Sequence, residues 1–436
     1  VSLGDISVEP NLGHNAGSAR LIAAYAYADA GEGESSTDLV FSGHNVIAEN
    51  GTVLKESKLF STGLICADVD LQRMMQERLH TTTWSNGGDA YEVKFDMDIP
   101  KLDIERKFSP LPFVPSDKKD LNERCEIILN MQAQGLKTRL KHTGLKNAVI
   151  GVSGGLDSTL ALLVIVRAFD LLELDRKGIL AVTMPGFGTT KRTKSNAQRL
   201  SELLGVTLKE IPIGKSVEQH FEDIGHNPED KDVTYENSQA RERTQVLMDL
   251  ANQCGGLVIG TGDLSEIALG WATFNGDMMS MYGVNGSIPK TLVRHLVNHA
   301  AVTAGGELCN ILEDILDTPV SPELLPPVNG EIAQKTENIV GPYELHDFFL
   351  YYMLRFGFTP TKIFHMAQNA FKGIYDDVTI KKWLYTFYRR FFSQQFKRSC
   401  LPDGPKVGSV TLSPRGDWRM PSDASSKLWL DEIKSL

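Results

Sequence analysis

Ala148-Val-Ile-Gly-Val-Ser-Gly-Gly-Leu-Asp-Ser158 joins an apolar run to a glycine-rich turn and then to a long apolar stretch, and its reading decides the fold. Ala148 to Val152 reads as a buried parallel strand. Ser153, Gly154 and Gly155 turn the chain sharply, and Ser158 opens an apolar helix over 159–169. Backbone N–H groups at such a turn, backed by the positive end of a helix, form a site for phosphate. No Gly-Lys-Ser/Thr follows, so this is not a Walker A loop. It carries a carboxylate instead, Asp157. A bare carboxylate repels phosphate, so its placement implies a divalent cation between the two.

Outward from this stretch, residues 148–262 alternate: strand 148–152, helix 158–169, strand 178–184, helix 192–204, strand 206–213, helix 236–252, strand 256–261. Such alternation predicts an α/β fold with a doubly wound parallel sheet covered on both faces. Ligands on these sheets sit at the carboxyl ends of strands. Three motifs fall there: the turn at Ser153, Met184-Pro-Gly-Phe-Gly188 and Gly260-Thr-Gly-Asp263. Before the sheet, a helix is expected from Asp120 through Lys141. Phe108–Pro115, with three prolines among apolar residues, reads as an extended linker. Residues 17–65 read as short strands (Leu21–Ala28, Asp38–Gly43, Val46–Ala48, Lys58–Ile65) with a hairpin turn at Asn50-Gly51. Gln72–Arg78 reads as part of a helix and Tyr91–Met97 as another strand.

The 436 residues suggest two or three domains. A net charge of −10 argues against a nucleic-acid-binding surface. No apolar run approaches a membrane span and no secretory signal opens the chain. Five cysteines (66, 125, 254, 309 and 400) lie too far apart for a Cys-x-x-Cys knuckle and fit reduced thiols in a cytoplasm. The first residue is Val1, not Met, so the chain reads as a fragment or a processed product.

In Gly260-Thr-Gly-Asp-Leu-Ser-Glu266, Asp263 has the spacing of an N-cap with Glu266 completing a capping box. Thr261 sits where a hydroxyl reaches a phosphate or an adenosine. Glu266 can share a metal with Asp157 or contact substrate. Asn237 and Arg241 are i, i+4 neighbours at the start of a helix whose charged run otherwise reads as a solvated face. Trp271 and Phe274 are core or a stacking surface for a flat ring. Lys290, after Pro289 at a helix start, supplies the cation the loop lacks. Lys191–Lys194 reads as a solvated first turn, and His220 and His226 lack ligand spacing.

The Ser-Gly-Gly-x-Asp-Ser pattern after a strand resembles the pyrophosphate loop of the ATP pyrophosphatase superfamily. With Met184–Asn196, Val233–Arg241, Gly260–Phe274, Tyr282–Lys290 and Leu401–Ser426 in this order, the chain is similar to the glutamine-dependent NAD synthetase family. The resemblance implies a synthetase domain of adenine nucleotide alpha hydrolase type over 120–436. It implies a linker at 106–119 and, over 1–105, the C-terminal part of a nitrilase-like α-β-β-α glutaminase domain, carried by Ala24-Tyr-Ala-Tyr-Ala28, Ala30-Gly-Glu-Gly-Glu-Ser35 and Asp38-Leu-Val-Phe41.

Residue by residue, the resemblance implies that Gly151, Val152, Ser153, Gly154, Gly155, Leu156, Asp157, Ser158 and Thr261 bind ATP, with Asp157 holding magnesium. Asn237, Arg241, Glu266, Trp271, Ala272, Thr273, Phe274 and Lys406 match positions around deamido-NAD, and Glu266 also matches a metal ligand. Asp157 and Lys290 are the implied catalytic residues. The implied reaction is ATP-dependent amidation of deamido-NAD to NAD through an adenylated carboxyl, releasing AMP and pyrophosphate. The implied setting is a cytoplasmic homo-oligomer without nucleic-acid or membrane partners. The glutaminase nucleophile, base and oxyanion lysine of the family fall upstream of Val1, so glutamine serves the full-length parent and ammonia is expected for this chain. Cys66 is read as a buried thiol in a strand, not as a replacement nucleophile. Competing readings are another ATP pyrophosphatase, such as a GMP synthetase or tRNA-thiolating enzyme, and a non-catalytic nucleotide-binding or assembly fragment.

Overall fold

The computed structural model describes residues 11–34, 41–83, 91, 93–94, 96, 104–318, 324–325 and 336–436. The chain forms two compact units, residues 1–108 with 356–358, and residues 109–355 with 359–436.

In the first unit, α1 (Asn11–Leu21) precedes an antiparallel sheet of β1 (Ala24–Tyr27), β2 (Val46–Glu49) and β3 (Thr52–Glu56), in that order. The β2–β3 hairpin closes as expected at Asn50-Gly51, whose φ values of 43° and 82° are those of a type I′ turn. α2 (Leu71–His80) follows, capped by Asp70, whose carboxylate accepts from the Arg73 amide at 3.0 Å. Glu49 is fully buried at the end of β2. Arg106 pairs with it at 2.9 Å and Arg73 at 3.3 Å, while the Asp70 amide donates to it at 2.7 Å.

The strand expectations for this unit, and the placement of Cys66 that followed from one of them, need correction. Strand Leu21–Ala28 shrinks to β1, because α1 runs through Leu21 and Ile22 then adopts φ 45°. Lys58–Ile65 is not a strand: Phe60 at φ 57° and Gly63 at φ 125° break any extended path, and Leu64 is 88% exposed. Cys66 is therefore exposed in irregular chain rather than buried in a strand. Of Asp38–Gly43, residues 38–40 lie outside the described residues, and 41–43 are irregular. Positions 92, 95 and 97 of Tyr91–Met97 also lie outside them, and the others show no strand.

The second unit opens with α3 (Lys118–Thr143), capped by Asp117 and closed by Gly144 in the left-handed conformation. β4 (Asn147–Gly151), α4 (Leu156–Asp170), β5 (Ile179–Thr183), α5 (Lys191–Leu204), β6 (Thr207–Glu210), α6 (Gly214–Ile224), α7 (Val233–Cys254), β7 (Gly256–Gly260), α8 (Leu264–Leu269) and β8 (Tyr282–Gly283) follow. The sheet order is β6-β5-β4-β7-β8, and every pairing among the described residues is parallel. Ala148 and Ile150 face a core built with α3, α4, α5, α9 (Lys290–Ala304) and α10 (Gly306–Leu316). Val149, Val182 and Val258 face the opposite core, built with α6 and α7. This two-sided burial explains the unbroken apolar run that marked β4.

β6 ends at Glu210, short of the expected 213, although the Ile211 amide still donates to the Thr183 carbonyl at 2.9 Å and the Ile213 amide to the Pro185 carbonyl at 3.1 Å. Helix α6 was not anticipated. α11 (Thr336–Val340), α12 (Tyr343–Phe356), α13 (Pro360–Ala370), α14 (Asp377–Ser393), α15 (Gln395–Arg398) and α16 (Lys427–Ser435) complete the unit. No described helix is long and apolar enough to cross a membrane.

Candidate active site

The winding of the sheet reverses at β4. The chain steps from β4 through β5 to β6 on one side, then returns to add β7 and β8 on the other. The crevice beyond the carboxyl ends of β4 and β7 is thus the topological switch point, where ligands bind in open α/β sheets. A cavity of about 270 Å³ lies there, lined by both strand-to-helix turns.

At the first turn, Gly154 has φ 83°, and a Cβ on it would drive into the backbone carbonyl of Thr193. Glycine is required on both counts. The next glycine, Gly155, is the N-cap of α4 and can offer no side chain to the first-turn N–H groups. The Ser153 hydroxyl accepts from the Gly155 amide at 3.2 Å and lies 3.2 Å from the Ser158 hydroxyl. A helix N-terminus without a side-chain cap therefore opens into the crevice.

At the second turn, Asp263 Oδ1 accepts from the Glu266 amide at 2.9 Å, so the capping reading holds. Its other oxygen does something the sequence did not disclose. It lies 2.5 Å from Lys290 Nζ, the ammonium that also meets Asp157 Oδ2 at 2.7 Å and Glu266 Oε1 at 3.0 Å. Carboxylate oxygens of Asp157, Asp263 and Glu266 all lie within 4.8 Å of one another.

Three acids around one ammonium leave an excess of negative charge in a buried place. Burial, against the pull of Lys290, holds the Asp263 carboxyl well above the usual range. Burial likewise pushes Glu266 up to about 7; Lys290 opposes the shift and Asp157 adds to it. Burial alone would push Lys290 down, but the carboxylates of Asp157, Asp263 and Glu266 outweigh it and hold the ammonium well above its ordinary value. Asp157 Oδ1 is buried without a hydrogen-bond partner. An orphaned carboxylate oxygen beside two further acids is a donor set suited to a hard divalent cation.

Two supports fix this cluster. Asp347 of α12, fully buried, accepts from the Thr291 amide at 2.9 Å, the Thr291 hydroxyl at 2.7 Å and the Ser265 hydroxyl; the Ser265 oxygen in turn accepts from the Lys290 amide at 2.8 Å. Burial raises Asp347 to about 6 despite these bonds. At the far end of α8, three cations take its terminal carbonyls. Arg390 donates to Leu269 at 2.9 Å. Lys397 donates to Gly270 at 2.8 Å and to Ala272 at 2.6 Å. Arg398 donates to Ala268 at 2.9 Å and Ile267 at 3.2 Å. Arg398 is 1% exposed, and burial lowers its guanidinium to about 9. The negative end of α8 faces these positive charges.

Of the expected site residues, Gly151, Val152, Ser153, Gly155, Leu156, Asp157, Ser158, Thr261, Glu266 and Trp271 line the cavity. Lys290 lies behind it, bound to the acids. Asn237 and Arg241 come together with the 271–274 segment. Asn237 Oδ1 accepts from the Thr273 hydroxyl at 2.7 Å, and Arg241 donates to the Phe274 carbonyl at 3.4 Å. Trp271 lies under the Arg390 guanidinium at 5.3 Å, and Phe274, 41% exposed, packs on Phe396. Ala272, Thr273, Phe274, Asn237 and Arg241 are not on the cavity wall. Lys406 stands apart, exposed, paired with Asp417 at 2.5 Å.

Sequence reasoning missed Asp263 as a member of the acid cluster, and it missed Asp347 and the α8 clamp. An acid inside the apolar run Leu345-His-Asp-Phe-Phe-Leu350 was the available signal for Asp347.

The sequence matches the family described as NAD synthase over residues 128–374. The glutamine-dependent NAD(+) synthetase of Mycobacterium bovis is 44% identical over 453 residues, spanning 95% of this chain and 67% of the relative. That of Mycobacterium leprae is 44% identical over 454 residues, spanning 96% and 67%. The chain belongs to the NAD synthase family. The members of this family are carbon–nitrogen ligases. A crystal structure of a glutamine-dependent NAD(+) synthetase from Cytophaga hutchinsonii, 18% identical, superposes with a TM-score of 0.57 over 99% of this chain and 68% of that one, so the fold is shared. The stretch that matches the NAD synthase family contains both turns, the acid cluster and Lys290.

Proposed function

We propose that this chain catalyses the ATP-dependent amidation of deamido-NAD to NAD. The observation that carries the reading is the meeting, at the switch point, of the uncapped N-terminus of α4 with the Asp157–Asp263–Glu266 cluster and Lys290. The first turn of α4 and the Ser153 and Ser158 hydroxyls take the phosphates of ATP, with Thr261 on the opposite wall. The residues present suit magnesium: Asp157 through its orphaned oxygen, with Glu266 and Asp263 adjoining. Bound there, the ion would neutralise charge on the phosphate oxygens.

In the first step a carboxylate oxygen of the nicotinate ring attacks the α-phosphorus, the bond to the bridging oxygen breaks, and pyrophosphate leaves. Ammonia then attacks the adenylated carboxyl carbon, loses a proton, and AMP departs. No protein nucleophile is needed. The chain contributes position and charge: it holds the reactants in line and meets the developing charge with oriented N–H groups. Asn237, Arg241, Glu266, Lys406 and the Trp271–Phe274 segment hold the dinucleotide, with Trp271 offering a flat surface on the cavity wall.

The same reading takes residues 1–105 as the C-terminal part of a nitrilase-like glutaminase domain, 106–119 as a linker and 120–436 as the synthetase domain of a homo-oligomer. Glutamine is the ammonia source named for the relatives. The test is pyrophosphate release by the 436-residue chain with ATP, magnesium and deamido-NAD, with ammonium or glutamine as nitrogen donor. Release dependent on all three reactants and ammonium supports the proposal. Turnover with glutamine as well assigns a working glutaminase to the chain. ATP binding without release under either donor overturns the catalytic reading.

A further inference from the structure

The β4–β7 ladder pairs Asn147 with Gly256, Ala148 with Leu257 and Val149 with Val258, and stops there. The two functional turns begin beyond its last rung. Asn285 bridges them. This residue, completely buried, follows β8 and does not line the cavity. Its side-chain NH2 donates to the Asp157 carbonyl at 2.9 Å and to the Thr261 carbonyl at 3.0 Å, one from each turn. Its oxygen accepts from Gln132 Nε2 of α3 at 3.1 Å, and the same nitrogen donates to the Val284 carbonyl at 2.9 Å. The amide orientation is thereby determined, since the reverse would set Oδ1 against two carbonyl oxygens.

A bond from each hydrogen of one buried amide fixes the separation of its two acceptors far more tightly than a contact between side chains would. Asp157 carries its carboxylate into the acid cluster from one of those peptides, and Thr261 stands two residues before Asp263 on the other. We propose that Asn285 is a positioning residue that sets the width of the crevice between the two turns, and so the grip on a nucleoside triphosphate lying across them. Gln132 holds Asn285 in the donating orientation. The inference rests on the proposed function for its substrate, and on geometry alone for the coupling of the turns.

The experiment compares wild type, Asn285→Ala and Gln132→Leu by steady-state pyrophosphate release and by hydrogen exchange of the amides in 153–158 and 261–266. In Asn285→Ala, the KM for ATP rises about tenfold or more while that for deamido-NAD moves less than about twofold, because a misplaced reactant costs rate and affinity steeply. The amides of both turns exchange faster together. Gln132→Leu shows the same pattern more weakly, and it decides the matter if the alanine variant fails to fold. An unchanged KM for ATP, or equal rises for both substrates with unaltered exchange in the turns, overturns the proposal. A wild-type chain without ATP-dependent activity would remove the functional reading. The exchange measurement would still decide whether Asn285 couples the two turns.

Discussion

Lys290→Met tests whether the site is held together by charge. Methionine keeps the length of the lysine stem, so packing changes little, but the ammonium that touches Asp157, Asp263 and Glu266 at 2.5–3.0 Å is gone. Removing one partner of a buried ion pair costs about 3–5 kcal/mol. The loss does not triple with three acids, because Asp263 and Glu266, both already raised by burial, respond by taking up protons. At roughly 2–4 °C per kcal/mol the synthetase unit melts about 6–20 °C lower.

The pH dependence follows from the acids. Glu266 titrates at about 7 in the folded chain and near 4.5 when free. Between those values the folded state binds a proton that the unfolded state has released. Its contribution to stability is therefore complete below the lower value and falls as pH rises through this window. Asp263, also raised by burial, behaves alike. Lys290, raised in its turn, contributes in full below its ordinary value of 10.5. Without it the two acids shift further up. The penalty of Lys290→Met is thus small near about pH 5 and largest near about pH 8. Thermal denaturation followed by circular dichroism across that range, first without divalent ions and then with magnesium, reads it directly. Magnesium recovers more melting temperature for the variant than for wild type, since it supplies positive charge the variant lacks. An equal drop at both ends of the range would refute the reasoning and leave only a packing defect.

Gly154→Ala abolishes turnover and destabilises by about 1–3 kcal/mol, measured by denaturant titration, since φ 83° and the Thr193 carbonyl both exclude a Cβ. Ionised Glu266 serves the site, so kcat/KM falls as the pH is lowered and that carboxyl takes up a proton, and Glu266→Gln removes this limb of the pH–rate profile. Arg398→Met strands the carbonyls of Ile267 and Ala268 and costs roughly 2–4 kcal/mol in thermal or chemical unfolding, with Arg398→Lys recovering part of it. Lys406→Ala changes stability by less than about 0.5 kcal/mol because its ion pair with Asp417 is exposed. A rise in KM for deamido-NAD in that variant would then report substrate contact.

The parallel sheet was legible because β4 and β7 are buried on both faces, and burial of that kind writes itself as unbroken apolar runs between glycines. The turn chemistry was legible for the same local reason: Gly154 and Asn50-Gly51 occupy conformations that few other residues accept. Reading failed where partners are distant in sequence. Asp263 looked like a cap and is one, but its second oxygen answers to Lys290, 27 positions on, which no local pattern records. Asn285 and Arg398 donate to backbone carbonyls, which leave no residue-type signature, and the partners of Asp347, Ser265 and Thr291, lie 82 and 56 positions away from it. In the first unit, Lys58–Ile65 has the composition of a strand, yet left-handed Phe60 and the sharp turn at Gly63 override it. Cys66 was misplaced along with that strand.

The chain from Leu401 to Val407 lies as a strap across the edge of the sheet. The Gly283 amide of β8 donates to the Asp403 carbonyl at 2.7 Å, the Ser287 hydroxyl donates to the Pro405 carbonyl at 2.7 Å, and Arg139 of α3 pairs with Asp403 at 2.5 Å. Arg139 and Asp403 are separated by 264 residues. The first helix of this unit and nearly its last segment therefore meet over the shortest strand. A ribosome delivers these two partners far apart in time. Until the strap emerges, β8 has one unpaired side and the residues that carry Asn285 and Lys290 lack their outer cover. Loop closure over such a span is slow, and an open strand edge invites association with other chains in the meantime. This wall of the site thus waits for residues 401–407, and the open edge of β8 is exposed until they dock.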